Sequence, residues 1–195
     1  MIGIPQSGVE AILNPHLANP LAVSILLADS QGRWGIVVRS HKTAIASGQW
    51  ATSAGGTVSP VDLQDPMINP AFSCAVREVR EELGLVFHDM TWDGLIIARQ
   101  KMQPVVLVSG RINRPWKEVL PLIRQARDWP FENAAFYAIP PEHIYSTLRH
   151  APLTDAAAYH LWLHRPYGRP RLFQCVHLHR DRLIAPVHKD YLPHA

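Results

Sequence analysis

The chain has 195 residues, of which 47% are hydrophobic and only 18% are charged, and its 19 Lys and Arg against 16 Asp and Glu give a formal charge of +3. This length suits a single domain with its own core, and the mild positive charge permits an anionic substrate without requiring DNA or a membrane surface. The sequence contains no apolar run of the roughly 18–20 residues that span a membrane, no signal-peptide pattern at its start and no Cys-x-x-Cys motif. The composition therefore predicts a soluble, cytoplasmic domain.

The N-terminal half predicts a hairpin and a short strand ahead of a helix. Residues 1–20 contain three prolines and little periodicity, which predicts a lead-in segment. Apolar runs at 21–28 and 34–39, joined by a turn, predict two paired strands. A third, short strand is predicted at 49–53, ending at the glycine pair Gly55-Gly56.

The next helix is predicted by its ends. Asn69 is a suitable N-cap and Pro70 suits the first helical position, while Gly84 is typical of a helix end; together they predict a helix over 70–83. The later elements are predicted as strands at 95–99, 104–112 and 134–139 and helices at 116–127, 141–149 and 154–164. Strands and helices mix without strict alternation, which favours a layered α/β or α+β domain over 21–165, with 166–195 as a C-terminal extension.

Three glutamates, Glu78, Glu81 and Glu82, share one stripe of the predicted helix, beside its apolar face. Like charges three and four residues apart repel by on the order of 0.2–0.5 kcal/mol per pair. A solvated helix face is one interpretation of the stripe. The other is a site for a hard cation, because clustered carboxylates are the ligands that Mg²⁺ and Mn²⁺ prefer, and a carboxylate beside such an ion can act as a general base.

The residues around this stripe favour the cation site. The run from Arg77 to Leu85 reads Arg-Glu-Val-Arg-Glu-Glu-Leu-Gly-Leu and resembles the second half of the Nudix box, G-x5-E-x7-R-E-U-x-E-E-x-G-U, where U is a bulky aliphatic residue. Every specified position in this run matches. The resemblance implies the Nudix fold, an α/β/α sandwich with a mixed β-sheet and a loop–helix–loop box that holds metal.

The first half of the box departs from the pattern. Gly56 followed by Asp62 resembles G-x5-E with Asp in place of Glu, and fourteen residues separate Asp62 from Arg77 where the pattern has seven. We interpret the excess as an insertion at 63–69. Residues 50–56 are similar to a W-x-x-S-x-G-G variant found among relatives of isopentenyl-diphosphate isomerase, but the catalytic Cys of that isomerase has no counterpart near this strand.

The resemblance implies a metal-dependent hydrolase that cleaves the pyrophosphate of a nucleoside diphosphate linked to another moiety, with Mg²⁺ or Mn²⁺ as cofactor. By motif position, the metal ligands would be Glu78, Glu81, Glu82 and the carbonyl oxygen of Gly55. Either Glu78 or Glu81 would act as general base, and Arg77 would brace the box by pairing with Glu81 or Asp62. Gly56, Asp62 and Gly84 would support the box structurally.

Further candidates are weaker. Many family members take an additional acid from a distant loop, and Glu132 is our candidate, although a surface-loop acid is an equally good interpretation. Arg39 and Arg99 could contact substrate phosphates, or they could be solvated charges at a sheet edge. His160 and His164 are four residues apart, but they have no third ligand at zinc spacing, so we do not predict a zinc site there.

Two functions stay open. The rival to the hydrolase is a Nudix-like domain that binds or senses a nucleotide without cleaving it; such domains usually lose box carboxylates, whereas this chain keeps all three glutamates and the arginine. The substrate also stays open, because Pro104 comes too late to match the proline of the ADP-ribose class. We expect no membrane partner and no specific nucleic-acid binding, and the resemblance also admits a homodimer.

Overall fold

The computed structural model describes residues 20–98 and 102–166, and the backbone of two short strands, Leu178–His179 and Arg182–Leu183, that pair with each other. Within 20–98 and 102–166, seven strands form one sheet. Their bounds are β1 (Ala22–Ala28), β2 (Trp34–Arg39), β3 (Trp50–Thr52), β4 (Ala54–Thr57), β5 (His88–Ala98), β6 (Gln103–Arg111) and β7 (Asn133–Ile139). The sheet is mixed, because β1 pairs in parallel with β6 and antiparallel with β2 and β4.

Helices cover both faces of this sheet. They are α1 (Pro70–Glu78), continued by a π-helical turn (Val79–Leu83), α2 (Trp116–Ile123), α3 (Trp129–Glu132), α4 (Ile144–His150) and α5 (Asp155–Leu163), with short 3₁₀ turns at Pro60–Leu63 and Pro141–His143. Among the helices of the described ranges, none is long and apolar enough to cross a membrane.

The alternation of β1 separates two cores. Ile25 and Leu27 face a larger cluster that includes α1 and α2, whereas Leu26 faces a smaller cluster with Ile144 of α4 and Leu161 of α5. Successive side chains of a strand point to opposite faces, so a continuous apolar run such as β1 indicates a strand buried on both sides. The predicted architecture, an α/β/α sandwich around a mixed sheet, is confirmed.

The predicted helix has the predicted ends. The Asn69 side chain accepts a hydrogen bond from the backbone N–H of Ala71 at 2.9 Å, and Gly84 ends the helix in the left-handed region with φ of 65°. Glycine adopts that conformation without steric cost. The apolar face is buried at Ala75, Val79 and Leu83, and it anchors the charged stripe against the sheet.

Other boundaries differ from the predicted ones. The glycine pair lies inside β4 and pairs with β1, although a strand ending there was expected. β5 begins at His88, whereas the sequence predicts a strand only from residue 95. The sequence does not predict the first half of β5 because that half is mostly exposed and carries no apolar alternation. The helix predicted at 116–127 ends at Ile123, and the short α3 follows as a separate element.

Candidate metal centre

The glycine pair of β4 and the end of α1 approach each other closely. The backbone N–H of Gly55 donates a hydrogen bond to Glu82 Oε1 at 3.1 Å. The carboxylate of Glu78 lies directly against Gly56, where a Cβ atom would collide with it. Gly56 therefore needs to be glycine because its backbone lies against a carboxylate, whereas a Cβ at Gly55 would come within 2.9 Å of the carbonyl oxygen of Val23 on the neighbouring strand.

The helix changes pitch where the site forms. The π-helical turn over Val79–Leu83 carries both Glu81 and Glu82, and such turns inside α-helices occur frequently at functional sites. Glu82 is only 5% exposed, so the interpretation of the stripe as a solvated face is wrong for this residue. Its carboxylate instead points at the strand, where it accepts the backbone N–H of Gly55.

Arg77 connects three carboxylates in this region. Its Nε and Nη2 donate to the two carboxylate oxygens of Asp62 at 3.0 and 2.9 Å. Its Nη1 donates to Glu78 Oε1 at 2.7 Å and to Glu81 Oε2 at 3.2 Å. Asp62 is itself held by the backbone N–H and the hydroxyl of Ser59. The structure thus brings Asp62 and Arg77 together across the insertion at 63–69.

Arg77 does not compensate the negative charge of all the carboxylates in the cluster. Burial raises the pKa of Glu82 to about 8, and burial also raises the pKa of Glu78 despite the neighbouring Arg77. The hydrogen bonds from Arg77 instead hold the pKa of Asp62 below its usual value. The charge of Arg77 therefore stabilises mainly the ionised form of Asp62. A cation beside Glu78 and Glu82 would stabilise the ionised forms of these two glutamates.

Glu132 and Arg39 lie at the edge of the same cluster. Glu132, at the end of α3, contributes to the raised pKa of Glu82, and Arg39 opposes that effect. Arg39 Nη2 and Glu132 Oε2 form an ion pair of 2.9 Å. Two weak sequence candidates from distant elements are thus close to the glutamates, whereas Arg99 lies outside the described residues.

The three glutamates do not converge on one point. Among the described residues, the oxygens of Glu78, Glu81 and Glu82 do not all lie within 4.8 Å of one another. Mg²⁺ commonly uses one or two carboxylates and completes its shell with water and substrate phosphates. The hard oxygen donors of Glu78 and Glu82 beside the glycine pair fit such an ion.

Sequence reasoning missed one cation at the site. Arg127, in the loop between α2 and α3, places Nη2 at 3.4 Å from Glu81 Oε1. An isolated exposed arginine carries no pattern that would indicate this. Cys74, one turn before Glu78, is buried, and burial raises the pKa of its thiol to about 12, so it packs as a small core residue.

The tryptophans contribute mainly to packing. Trp116 and Trp129 belong to the larger core cluster. Trp50 stacks on Tyr137 with ring centroids 4.4 Å apart, and it packs against the smaller cluster, on the sheet face opposite α1. Trp92 is 46% exposed, which leaves it as the tryptophan best exposed for stacking in the described part of the chain.

Comparison with solved structures identifies the architecture. A Nudix hydrolase from Alicyclobacillus acidocaldarius superposes with a TM-score of 0.58 at 12% identity, over 76% of this chain and 92% of that one. The chain has the Nudix fold. A mutT/nudix family protein from Listeria innocua matches with a TM-score of 0.51 at 17% identity, over 75% of this chain and 92% of that one. The NUDIX domain of Shewanella oneidensis NrtR, crystallised with ADP ribose, matches with a TM-score of 0.53 at 15% identity, over 82% and 94% of the two chains.

Sequence comparisons find no match, in contrast to the structure comparison. No protein-family model matches the sequence, and no curated protein matches it. The likeness to solved Nudix structures therefore concerns the fold. The roles of Arg77 and the three glutamates depend on the geometry described above.

Proposed function

We propose that this protein is a divalent-metal-dependent pyrophosphohydrolase that acts on a nucleoside diphosphate linked to another moiety. The observation that carries the proposal is the burial of Glu82 against the Gly55 N–H, with Glu78 packed against Gly56 beside it. Burying the Glu82 carboxylate next to the partly buried Glu78 is unfavourable without a nearby positive charge, and of these two glutamates Arg77 pairs with Glu78 only. A divalent cation supplies that charge and also binds the phosphates of a pyrophosphate substrate.

Each residue has a role in this proposal. Glu82 and Glu78, with the carbonyl oxygen of Gly55, would hold Mg²⁺ or Mn²⁺, and Glu81 and Glu132 would complete the set of acids around it. When bound, the ion neutralises negative charge that develops on the phosphate oxygens and aligns the attacking water. Arg77 keeps the acids in place by holding Asp62, Glu78 and Glu81 together.

The proton of the attacking water needs an acceptor with some access to solvent. Glu82 is unsuited, because it is buried and its Oε1 already accepts the Gly55 N–H. Glu78 and Glu81 have side-chain exposures of 13% and 30%, so both are reachable. We assign the general base to one of these two glutamates.

Two observations bear on the substrate. The chain has a positive excess of Lys and Arg, which suits an anionic substrate. A structure with the same fold was crystallised with ADP ribose, which makes a nucleotide sugar the first compound to assay. Arg39 lies at the edge of the cluster, and we assign it a contact with a substrate phosphate in addition to its ion pair with Glu132.

The experiment is a hydrolysis screen. The full-length protein is incubated with Mg²⁺ or Mn²⁺ and a panel of nucleoside diphosphate derivatives that includes ADP-ribose, and release of nucleoside monophosphate is measured. We expect cleavage of at least one compound, and a loss of at least about 100-fold in Glu82→Gln. Glu142→Gln, an exposed glutamate in the 3₁₀ turn before α4, is the matched control and keeps full activity.

One contact favours the second candidate, a domain that binds a nucleotide without cleaving it. Arg77 occupies oxygens of both Glu78 and Glu81, and in a binding domain that arrangement would persist with ligand present. The screen separates the two functions. Binding of a nucleotide by calorimetry without product release, across the whole panel and both cations, would overturn the hydrolase proposal.

A further inference from the structure

A second cluster of metal-ligating side chains lies on the sheet face opposite the box. It consists of Asp93 on β5 and of His160 and His164 on and just after α5. His160 Nε2 and His164 Nε2 each lie 3.1 Å from the same oxygen, Asp93 Oδ2. Within the described residues, this is the group of histidine, cysteine or acidic side chains whose ligand atoms all lie within 4.8 Å of one another.

The fold places the three side chains of this cluster next to one another. The register between β5 and β6 shifts between Trp92 and Gly94, so Asp93 is the extra residue of a β-bulge, a feature that redirects a side chain. His160 and His164 are four residues apart, which places them on one helical face. Because α5 packs against β5, that face meets the bulge.

The cluster is removed from solvent. The side chain of His160 is fully buried, and those of Asp93 and His164 are 8% and 9% exposed. Among the described residues, the ion-pair partners of Asp93 are these two histidines and no Lys or Arg. A buried carboxylate is unfavourable without hydrogen bonds or a compensating positive charge. The two histidines lie at hydrogen-bond distance from Asp93, and a divalent cation between the three groups would supply the positive charge directly.

The spacing fits a transition-metal ion. Two ligand atoms that lie about 2.0–2.1 Å from a tetrahedral zinc are about 3.3–3.4 Å apart, close to the observed 3.1 Å. An ordinary N–H···O hydrogen bond spans about 2.7–3.2 Å, so the three side chains can meet at this distance with or without an ion. Among the described residues, His160 Nδ1 is buried and has no hydrogen-bond partner. Nε2 faces Asp93 Oδ2, and with the proton on Nδ1 it would present its lone pair to a bound ion.

We propose that Asp93, His160 and His164 form a binding site for a zinc-class divalent cation, with a fourth position open to water at the partly exposed edge of His164. Two imidazoles and one carboxylate suit Zn²⁺, Co²⁺ or Ni²⁺ better than Mg²⁺, which prefers oxygen ligands alone. The ion would tie α5 to β5, which packing and the two contacts of Asp93 with the histidines already join. The site is independent of the glutamate box and of the proposed hydrolase.

The test uses the full-length protein after treatment with a chelator. Zn²⁺ is titrated by calorimetry and by competition with a zinc indicator, and we expect about one ion per chain and a higher melting temperature with zinc. Asp93→Asn, His160→Gln and His164→Gln are each expected to weaken zinc binding by at least tenfold, since ligand loss exceeds the roughly 10–100-fold effect of losing an outer partner. The double variant His143→Gln/His150→Gln, on exposed positions around α4, is the matched control and binds zinc as the wild type does.

One further variant locates the ion. Glu82→Gln is expected to keep zinc binding, which separates this site from the box. Should His160→Gln fail to fold, the Co²⁺-loaded wild type gives an independent measurement, because four-coordinate Co²⁺ absorbs visible light far more strongly than six-coordinate Co²⁺. No zinc binding by the wild type, binding that survives all three cluster variants, or a weak six-coordinate Co²⁺ spectrum would overturn the proposal.

Discussion

Arg77 and Asp62 form two parallel hydrogen bonds of 3.0 and 2.9 Å, although fourteen residues separate them in the chain. The 3₁₀ turn Pro60–Leu63 presents Asp62 before the insertion begins, and the insertion then runs outward, with Met67 90% exposed. A shorter acid and a longer loop therefore reach the same ion pair. This geometry supports the gapped alignment of the box.

The first prediction concerns the planar fork of Arg77. In Arg77→Lys, a single ammonium group replaces a guanidinium that bonds to three carboxylates, and the bidentate contact with Asp62 is lost. We expect the free energy of unfolding to fall by about 1–3 kcal/mol, and the hydrolytic kcat to fall at least tenfold because Glu78 and Glu81 lose a shared donor. Urea unfolding and steady-state kinetics measure the two effects.

Arg114→Lys is the control for this variant. Arg114 pairs with Glu118 at 3.4 Å on an exposed surface, where such a pair contributes little. Equal losses of stability in both lysine variants would show that the bidentate contact between Arg77 and Asp62 stabilises the fold no more than an exposed ion pair does.

The second prediction concerns the contact between Gly56 and Glu78. A methyl group at Gly56 would collide with the Glu78 carboxylate, so Gly56→Ala must move Glu78 away from the strand. We expect at least a tenfold rise in the Mg²⁺ concentration needed for half-maximal activity. Gly94→Ala is the matched control, because a Cβ there meets no atom within 4 Å. An unchanged Mg²⁺ requirement in Gly56→Ala would show that Glu78 is not a metal ligand.

The third prediction concerns Asp29 and pH. Asp29 is buried and accepts hydrogen bonds from the Arg33 side chain and from the backbone N–H groups of Gln31, Arg33 and Trp116. Burial alone would raise its pKa, but the bonds from Arg33 and the backbone outweigh it and lower the pKa. A lowered carboxyl pKa stabilises the fold above the unfolded value of about 3.9, and this stabilisation is lost as the pH falls through the folded pKa.

We therefore expect Asp29→Asn to be less stable than the wild type by about 1–3 kcal/mol at pH 7 and the gap to shrink below about pH 4. Urea unfolding between pH 3 and pH 7 measures this. Asp89→Asn, at an exposed aspartate, shows how much any lost carboxylate changes the curve. A gap of constant size across that range would contradict the role given to the Asp29 charge.

The fourth prediction concerns the distant acid. Glu132 interacts electrostatically with Glu82, and if it lies beside the bound cation, Glu132→Gln weakens that binding. We expect the Mg²⁺ requirement to rise by about 10-fold while the melting temperature changes by only a few degrees, since the lost ion pair with Arg39 is partly exposed. An unaltered Mg²⁺ requirement in Glu132→Gln would show that Glu132 is a surface acid that does not contribute to cation binding.

The fold was predictable because its signals are local. The run from Arg77 to Leu85 combines an apolar face, a charged stripe and a glycine stop within a few residues, which predicts the helix, and its resemblance to the Nudix box implies the layered architecture around it. The position of Asp62 was also predictable, because spacing to Gly56 is a property of the sequence. The π-helical turn was not predictable, since it depends on how the end of the helix meets β4.

The features that escaped prediction depend on contacts across the sheet. Asp93 lies 67 positions before His160, and nothing near Asp93 in the sequence indicates a ligand, so the sequence gives the histidine pair no third member. Arg127 reaches Glu81 from a loop whose course depends on the packing of α2 and α3. The exposed first half of β5 lacks alternation because it lies at the edge of the sheet with one neighbouring strand.

The most direct test of the central claim is cation-dependent cleavage by the wild type and by Glu82→Gln. The chelated protein is assayed on its best substrate with no metal, with Mg²⁺ and with Mn²⁺, and the nucleotide product is identified. We predict no activity without metal, restoration by either cation with a nucleoside monophosphate as product, and a loss of at least about 100-fold in Glu82→Gln under both. Full activity after chelation, or a Glu82→Gln variant as active as Glu142→Gln, would contradict the account.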